Sequence, residues 1–401
     1  MRKLQLLKEA AVASLLFMLL TFLLGFLPFK FEFTKGIRQG LFGFDIYDLH
    51  FSNKHRANYN LDNRIVLVEI GASRAEIARQ LEVLAQYNPR VIGLDAFFEE
   101  RDTTDEFNDL RLEAVITRNP NIVLADRNIR HGDSIYHYPN VFHHPVTHLA
   151  GYADLTAYNE YVVIRSFYPF LTRSEKTHES FTSAILHKYD PQLYKDFRER
   201  EKEDEIINYT RGLKDYLNMT VNDLAEFDST GQLPLILKDK VVLVGYFDKN
   251  NQVLSDLYFT PLNARVVGKS YPDLYGVVIH ANILSMLLDS NYATMLPELM
   301  SYVIAYLIVF LMLLFILSQY KKKVHPNHGW LLLIQLLTIL VMLYLFLLLF
   351  DLTLIKADLV PMVVGLVLSL EALGLYKMLA LWLHNNKRLR YQTIFSKKEH
   401  V

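Results

Sequence analysis

Four apolar stretches restrict what this chain can fold into more than any other feature. They lie at residues 10–29, 299–320, 329–350 and 359–383 of the 401 residues. The hydrocarbon core of a bilayer, ~30 Å thick, requires about twenty apolar residues in a helix, and a core helix of a soluble protein needs fewer. The sequence therefore predicts four transmembrane helices and excludes a purely soluble protein.

The first stretch has the features of a signal anchor. Arg2, Lys3 and Lys8 precede it, and the apolar run continues as far as Phe29 without the small residues of a cleavage site. A cleaved leader would have a shorter apolar region. We therefore expect residues 1–9 to be a cytoplasmic N-terminus and residues 10–29 to remain as a membrane helix.

Basic residues near the ends of the stretches predict the orientation of the chain. Lysines are concentrated in the connection 321–328 and basic residues in the tail 384–401, whereas the connection 351–358 has one lysine and two aspartates. The N-terminus, the basic connection and the tail are thus expected to be cytoplasmic, and residues 30–297 to lie outside. For a bacterium this would be an inner-membrane protein with a large periplasmic domain.

The predicted outer domain carries more acidic than basic residues. Binding to nucleic acid requires a positive field around the phosphates, so no nucleic-acid partner is expected. The chain contains no cysteine, which excludes disulfides, thiolate metal sites and a cysteine nucleophile.

Residues 30–297 read as alternating strands and helices. Buried strands are predicted at residues 64–70, 90–98, 121–125 and 241–244, with helices at 73–87, 105–117, 178–189 and 276–288. Residues 151–157 and 162–167 are predicted to form an antiparallel pair. Short strand–helix–strand repeats favour parallel crossovers, so we expect an α/β domain with a mixed, largely parallel sheet flanked by helices.

Several segments, in this order, resemble the CHASE sensory domain of the second type, the cyclase/histidine-kinase-associated sensory extracellular domain. The segments are Asp62–Ile70, Pro89–Glu99, Lys240–Gly245, Asp256 with Thr260-Pro261, and Gly276–Asn282. The resemblance extends over roughly residues 30–383. It implies an extracytoplasmic sensory α/β domain, which the family usually joins to a cyclase, kinase or phosphodiesterase module after the last membrane helix. About eighteen residues follow Leu383, too few for such a module.

Asp95 and Glu69 are candidate ligand-binding residues. Each is expected near the carboxyl end of a predicted parallel strand, where open α/β sheets bind their ligands. Two carboxylates on neighbouring strands could bind a cation or act as acid and base. Alternatively, Asp95 caps a loop and Glu69 pairs with an arginine.

His280 and Asp256 complete the candidate ligand-binding set. His280 lies early in the helix before the second apolar stretch, where an imidazole could sense pH or contact a ligand. A hydrogen bond from the helix to the sheet is the alternative. Asp256 enters through the resemblance, as part of the closing motif.

Residues 131–148 contain five histidines, namely His131, His137, His143, His144 and His148. Histidine is a common metal ligand, but no carboxylate lies at ligand spacing and Pro145 interrupts any helix. We therefore predict an exposed loop, no metal and no cofactor. The sequence also lacks a nucleophile elbow, a glycine-rich phosphate loop and an H-E-x-x-H motif, so no catalytic residue and no enzyme activity are predicted.

Glu371 lies within the last apolar stretch, where a carboxylate is costly and usually faces another helix or a polar cavity. A helix–helix contact within the membrane is expected. A protonated carboxyl bonded to Ser369 or to a carbonyl is the alternative.

These features lead to one functional hypothesis and two alternatives. The chain is expected to be a membrane-anchored receptor that binds a ligand or protein outside and relays the change through its helices to a separate membrane or cytoplasmic partner, as a homodimer. A structural scaffold subunit of an envelope complex is the main alternative. A periplasmic enzyme that uses Asp95 and Glu69 is a third.

Overall fold

The computed structural model describes most of the chain. The described residues are 2–25, 45–57, 61–131, 134–144, 148–155, 163–173, 176–249, 256–263, 272–321, 328–386, 391 and 393–396.

The helices in the described residues are α1 (Arg2–Gly25), α2 (Asp48–Ala57), α3 (Arg74–Gln86), α4 (Glu106–Arg118), α5 (Phe181–Tyr189), α6 (Pro191–Arg198), α7 (Val221–Ser229), α8 (Leu233–Leu237), α9 (Gly276–Asp289), α10 (Glu298–Lys321), α11 (His328–Thr353), α12 (Val360–Val367) and α13 (Ser369–Asn385). Single 3-10 turns lie at Leu213–Asp215 and Ile394–Ser396.

The strands are β1 (Asp62–Glu69), β2 (Val91–Leu94), β3 (Ile122–His131), β4 (Ser134–Tyr138), β5 (Ala150–Tyr152), β6 (Ser166–Phe167), β7 (Phe170–Arg173), β8 (Lys176–Glu179), β9 (Glu205–Ile206), β10 (Tyr216–Met219), β11 (Val241–Gly245), β12 (Leu257–Tyr258), β13 (Leu274–Tyr275), β14 (Thr294–Met295) and β15 (Ile355–Lys356).

The chain divides into two compact units, each described here by itself. The first comprises Met1–Gly40 with Thr294–Val401, and the second comprises Leu41–Ala293. We call them the helical unit and the α/β unit.

A mostly parallel sheet forms the centre of the α/β unit. Its strand order is β10-β1-β11-β2-β3-β4, and β5 pairs in parallel with β3. The β3–β4 pair is antiparallel, whereas β1, β2, β10 and β11 pair in parallel. The predicted mixed, largely parallel sheet with flanking helices is therefore confirmed.

Local sequence explains where the first two helices after β1 begin. Ser73 accepts a hydrogen bond from the Glu76 amide at the start of α3, and Asp105 accepts one from the Asn108 amide at the start of α4. These side chains satisfy amides that have no partner within the helix. The buried face of α3, which includes Leu81 and Leu84, packs into one core with sheet residues such as Val66.

The predicted antiparallel pair at residues 151–157 and 162–167 is wrong in its described part. Tyr152 belongs to β5, which runs parallel to β3 with Tyr152 opposite Asp126. Phe167 pairs instead with Glu205 of β9. Short apolar runs have no periodicity that identifies their partner, so the pairing is decided by the sheet. Residues 156–162 lie outside the described residues.

The helical unit contains two helices that are long and apolar enough to cross a membrane, at Glu298–Tyr320 and His328–Thr353. Helices α12 and α13 meet at a bend of 58° and count as a third span if the pair is one broken helix. Four membrane spans were expected. By length and composition, the described residues contain two, or three if the bent pair is one span. Helix α1 packs against α10 and α13 in the same unit.

A glutamine from the neighbouring helix contacts the bend between α12 and α13. The Nε2 of Gln335 donates to the carbonyls of Leu366 and Val367, the latter at 2.8 Å, and approaches Ser369 Oγ at 3.3 Å. A break in a helix frees carbonyls that must find donors where water is absent. Gln335 supplies that donor, so the bend is stabilised from outside the broken helix.

Candidate functional site

Asp95 lies at the carboxyl edge of the parallel sheet. It follows β2 directly, and its amide still donates to the Val244 carbonyl at 2.8 Å before the chain leaves the sheet. Its side chain is 16% exposed. Burial raises the pKa of Asp95 to about 7, and the negative charge of Asp154 raises it further. A carboxylate there loses hydration without gaining a cationic partner, which favours its protonated form.

Close packing at Gly245 brings α9 against this edge. A Cβ on Gly245 would lie 2.8 Å from Val277 Cγ2 and 3.2 Å from Asp95 Cβ. Glycine at the end of β11 therefore leaves room for the first turn of α9 beside Asp95.

His280 reaches the same place from α9. Its Nε2 lies 4.0 Å from Asp95 Oδ2, beyond hydrogen-bonding distance. The residue is 4% exposed, and Nδ1 has no hydrogen-bond partner among the described residues. Burial lowers the pKa of His280 to about 4, against the opposing effects of Asp256 and of a hydrogen bond to the Ala153 backbone. The imidazole is therefore neutral near pH 7 and keeps an unsatisfied buried nitrogen.

Asp256 lies beside the start of α9. Its backbone carbonyl accepts the Gly276 amide at 3.2 Å, and a Cβ on Gly276 would lie 3.1 Å from Asp256 Oδ2. Its φ of 58° is in the left-handed region, which aspartate tolerates better than most residues. Loss of hydration raises the pKa of Asp256 to about 6, and the charge of Asp95 adds to this shift despite a hydrogen bond from Tyr258.

Asp154 is a further carboxyl group at this edge of the sheet, and the sequence analysis did not identify it. It follows β5, and its carboxylate accepts the Asn128 amide. Burial raises the pKa of Asp154, although the hydrogen bond from the Asn128 amide and the charge of Arg127 oppose the shift. Because β5 was expected to pair elsewhere, nothing in the sequence placed this residue at the carboxyl edge. The parallel pairing of β5 with β3 places Asp154 there, and that pairing was not predicted.

We call Asp95, Asp154, Asp256 and His280 the acidic edge cluster. Its electrostatics connect all three carboxylates, because Asp154 raises the pKa of Asp95 and Asp95 raises that of Asp256. Burial also raises the pKa of Tyr258, and the charges of all three carboxylates raise it further. Three carboxyl groups therefore share a poorly hydrated place in which ionising all of them is unfavourable. A positively charged group bound there would remove the repulsion.

Glu69 is not adjacent to Asp95. Strand β11 lies between β1 and β2, and Glu69 is opposite Gly245 in the register. The expectation of two carboxylates on neighbouring strands is therefore wrong. Glu69 is half-buried, and its carbonyl accepts Gln80 Nε2 at 2.8 Å. As a ligand contact, Glu69 stays a prediction.

Other residues of the motifs have structural contacts. Asn282 accepts the Thr210 and Arg211 amides at 3.2 and 3.1 Å and donates to the Arg211 carbonyl at 2.7 Å. Asp62 accepts Arg64 Nη2 at 2.7 Å and Ser285 Oγ at 2.9 Å. These residues fix α9 to the unit, so the position of His280 is well determined.

The histidines of residues 131–148 divide among different contacts. His137 Nε2 and His143 Nδ1 lie 3.3 and 3.7 Å from Asp126 Oδ2, whereas His144 approaches Glu113 at 3.6 Å. His148 Nε2 lies 2.8 Å from the Ile116 carbonyl. The side chain of His131 is outside the described part. Within the described residues, no group of three or more histidine or acidic side chains could hold a metal ion.

Glu371 lies in the first turn of α13, directly after the bend, and is exposed on the surface of the helical unit. Ser369 Oγ donates to the Leu366 carbonyl at 2.8 Å. The hydroxyl proton of Ser369 is therefore donated across the bend to α12. A contact between Glu371 and another helix stays a prediction.

The model of the CHASE2 domain family matches residues 14–318 of the chain. Neither the curated proteins nor the solved structures include one that matches the chain.

Proposed function

Because the chain belongs to the CHASE2 domain family, whose members are extracellular sensory domains, we propose that it is a membrane receptor whose α/β unit binds a small organic cation at the acidic edge cluster. The observation that carries this proposal is the accumulation of three carboxylates around a buried, neutral histidine, with the pKa of Asp95 at about 7 and that of Asp256 at about 6.

The chemistry of the cluster favours an ammonium group over a metal ion. Asp95 and Asp256 supply acceptor oxygens, and His280 Nδ1 supplies one buried polar atom that no described residue contacts by a hydrogen bond. The described residues contain no group that could hold a metal. An organic cation can place its charge beside the carboxylates. The ring of Phe181, which is fully buried, packs edge-on against that of His280 at 5.4 Å and holds the imidazole in place beside them.

The proposed relay uses four membrane crossings, with α1 as the fourth. Helix α1 has 24 residues, which corresponds to ~36 Å. In the helical unit its Glu9 contacts Thr393 and Ile394, so the beginning and the end of the unit lie on the same side. An even number of crossings agrees with that arrangement. The α/β unit would then face the periplasm of a bacterium, and the tail would face the cytoplasm.

A ligand shifts such a receptor only by its differential affinity for two states. Binding at the cluster would change the position of α9, and the change would reach a separate membrane or cytoplasmic partner, in our proposal within a homodimer. Stoichiometric co-purification of an envelope protein without any ligand response would instead favour the scaffold role.

The test is calorimetric titration of the full chain in detergent with diamines and polyamines, and separately with Mg²⁺ and Ca²⁺. We expect an amine to bind, and Asp95→Asn and Asp256→Asn each to weaken binding at least about tenfold, the effect of one charge-assisted hydrogen bond. Glu203→Gln, at an exposed position, is the matched control. Binding of the metals alone, or equal binding by Asp95→Asn, would contradict the proposed ligand class.

A further inference from the structure

A carboxylate near the start of α1 is buried although its helix is largely apolar. Glu9 is 1% exposed in the helical unit. A buried carboxylate is costly unless donors satisfy its oxygens. The partners of Glu9 therefore identify a contact on which this end of the unit depends.

Two of the partners come from the other end of the chain. Thr393 Oγ1 donates to Glu9 Oε2 at 3.1 Å, and the Ile394 amide donates to Glu9 Oε1 at 2.8 Å. Gln5 Nε2, one turn earlier on α1, donates to Oε1 at 3.2 Å. The Ile394 amide opens the 3-10 turn Ile394–Ser396, so the carboxylate acts as a cap supplied by another helix.

Aromatic contacts hold the same segment against two further helices. The Phe395 ring packs edge-on near Tyr320 of α10 and Tyr376 of α13, with centroids 6.1 and 6.4 Å apart. Lys377 Nζ lies 5.6 Å above the Phe395 ring. The hydroxyls of Tyr376 and Tyr391 are 3.0 Å apart.

We call Glu9 with residues 391 and 393–396 the tail clasp. The clasp joins α1, α10 and α13 at one end of the helical unit through a short segment that ends in a single helical turn. We propose that this segment is a movable output element that Glu9 holds in a closed position, and that a shift of α1 relative to α13 opens the clasp.

The clasp is expected to have two distinct states, because a partly open clasp has a high free energy. When residues 393 and 394 leave together, Glu9 becomes a buried carboxylate that has lost two of its donors, so it must be rehydrated at the same time. The closed and open positions are therefore distinct states, which a small displacement of α1 can select between. The clasp itself involves no ligand. It rests on the proposed receptor function only in that ligand binding is the event that displaces α1.

Hydrogen exchange of the full chain in lipid nanodiscs tests the clasp directly. The Ile394 amide donates to Glu9, so it exchanges slowly in the wild type if the clasp is closed. Glu9→Ala preserves helix propensity and removes both acceptor oxygens. We expect exchange in residues 391–396 to accelerate at least about tenfold, as for loss of one hydrogen bond to a charged group. Glu298→Ala, at an exposed position in the first turn of α10, is the control and should leave the rate unchanged.

A second pair of variants distinguishes opening of the clasp from a general loss of stability, which Glu9→Ala could also cause. Thr393→Val removes one donor at nearly constant volume and should accelerate exchange in residues 391–396 alone, whereas Thr393→Ser keeps the hydroxyl and should not. Unchanged exchange in this segment in both Glu9→Ala and Thr393→Val would overturn the clasp. An acceleration spread evenly through α1, α10 and α13 in Thr393→Val would overturn it as well. Neither result depends on amine binding, so the two proposals fail separately.

Discussion

His280 Nε2 and Asp95 Oδ2 face each other across 4.0 Å at the carboxyl edge of the sheet, and the two groups do not form an ion pair. The pKa of Asp95 is about 7 and that of His280 is about 4, so both groups are neutral between these values. Above pH 7 Asp95 becomes an anion next to a neutral imidazole. The contact therefore contains no positive charge, and a bound cation would stabilise the Asp95 carboxylate.

Removal of the Asp95 charge is expected to stabilise the α/β unit at alkaline pH. The folded pKa of Asp95 lies above the unfolded value of 3.8, so the folded state binds the extra proton and stability falls as pH rises from about 4 through about 7. Asp95→Asn lacks this loss. Its free energy of unfolding should therefore exceed that of the wild type by about 2 to 4 kcal/mol at pH 8 and by nearly nothing at pH 4. Hydrogen exchange of β2 and β11 in the full chain measures the difference. A wild type that is equally stable at pH 5 and pH 8 would contradict the raised pKa.

Asp62 should have the opposite pH dependence. Burial alone would raise the pKa of Asp62, but hydrogen bonds from Arg64 outweigh it and the pKa falls to about 2. The stabilisation is complete above the unfolded pKa and is lost as pH falls through about 4 towards 2. Asp62→Asn should therefore cost about 2 kcal/mol at pH 7 and much less at pH 2.5.

The control for this prediction lies on the same strand. Glu69→Gln changes a half-buried carboxylate in β1 that forms no ion pair within the described part of the chain. Exchange of β1 amides in the full chain should respond to Asp62→Asn and not to Glu69→Gln. A constant effect of Asp62→Asn from pH 2.5 to 7 would mean that the ionised form has no special stabilisation.

Two glycines in the helical unit should respond differently to the same substitution. A Cβ on Gly365 would lie 2.5 Å from Val309 Cγ2, whereas a Cβ on Gly374 has nothing within 4 Å. Gly365→Ala forces α10 and α12 apart and should destabilise the unit by about 1 to 3 kcal/mol. Gly374→Ala should be neutral or slightly stabilising, because alanine favours the helix. Thermal denaturation in detergent, followed by the fluorescence of Trp330 and Trp382, compares them, and equal midpoints would contradict the close contact.

The absence of cysteine permits a clean test of sidedness. Phe107 on α4 is 77% exposed, so Phe107→Cys introduces a single accessible thiol in the α/β unit. A membrane-impermeant maleimide should label this variant in intact spheroplasts. A cysteine introduced at Leu4, which is 59% exposed near the start of α1, should be labelled only after lysis. The reverse pattern would invert the proposed orientation.

Much of the α/β fold could be predicted because its signals are local. The β-branched run at β1, the caps Ser73 and Asp105 and the helical spacing of α3 each lie within about a dozen residues. The predicted strand at 90–98 was longer than β2, which ends at Leu94. The ladder with β11 ends there, and no property of residues 95–98 alone marks that end.

The candidate site was predictable only in part. Asp95 and His280 were identified from their places at a strand end and a helix start, and the structure brings them together. Glu69 was expected beside Asp95, but β11, which is far away in sequence, lies between their strands. Asp154 was missed because the partner of β5 was wrongly predicted.

The sequence by itself determined the apolar lengths, the alternation of strands and helices and the family motifs, because these depend on residues a few positions apart. Only the tertiary structure decided that β11 pairs between β1 and β2, that Asp154 joins Asp95, and that Glu9 meets Thr393. Such contacts depend on which arrangement buries the most apolar surface and satisfies the most polar groups, and that balance involves the whole chain.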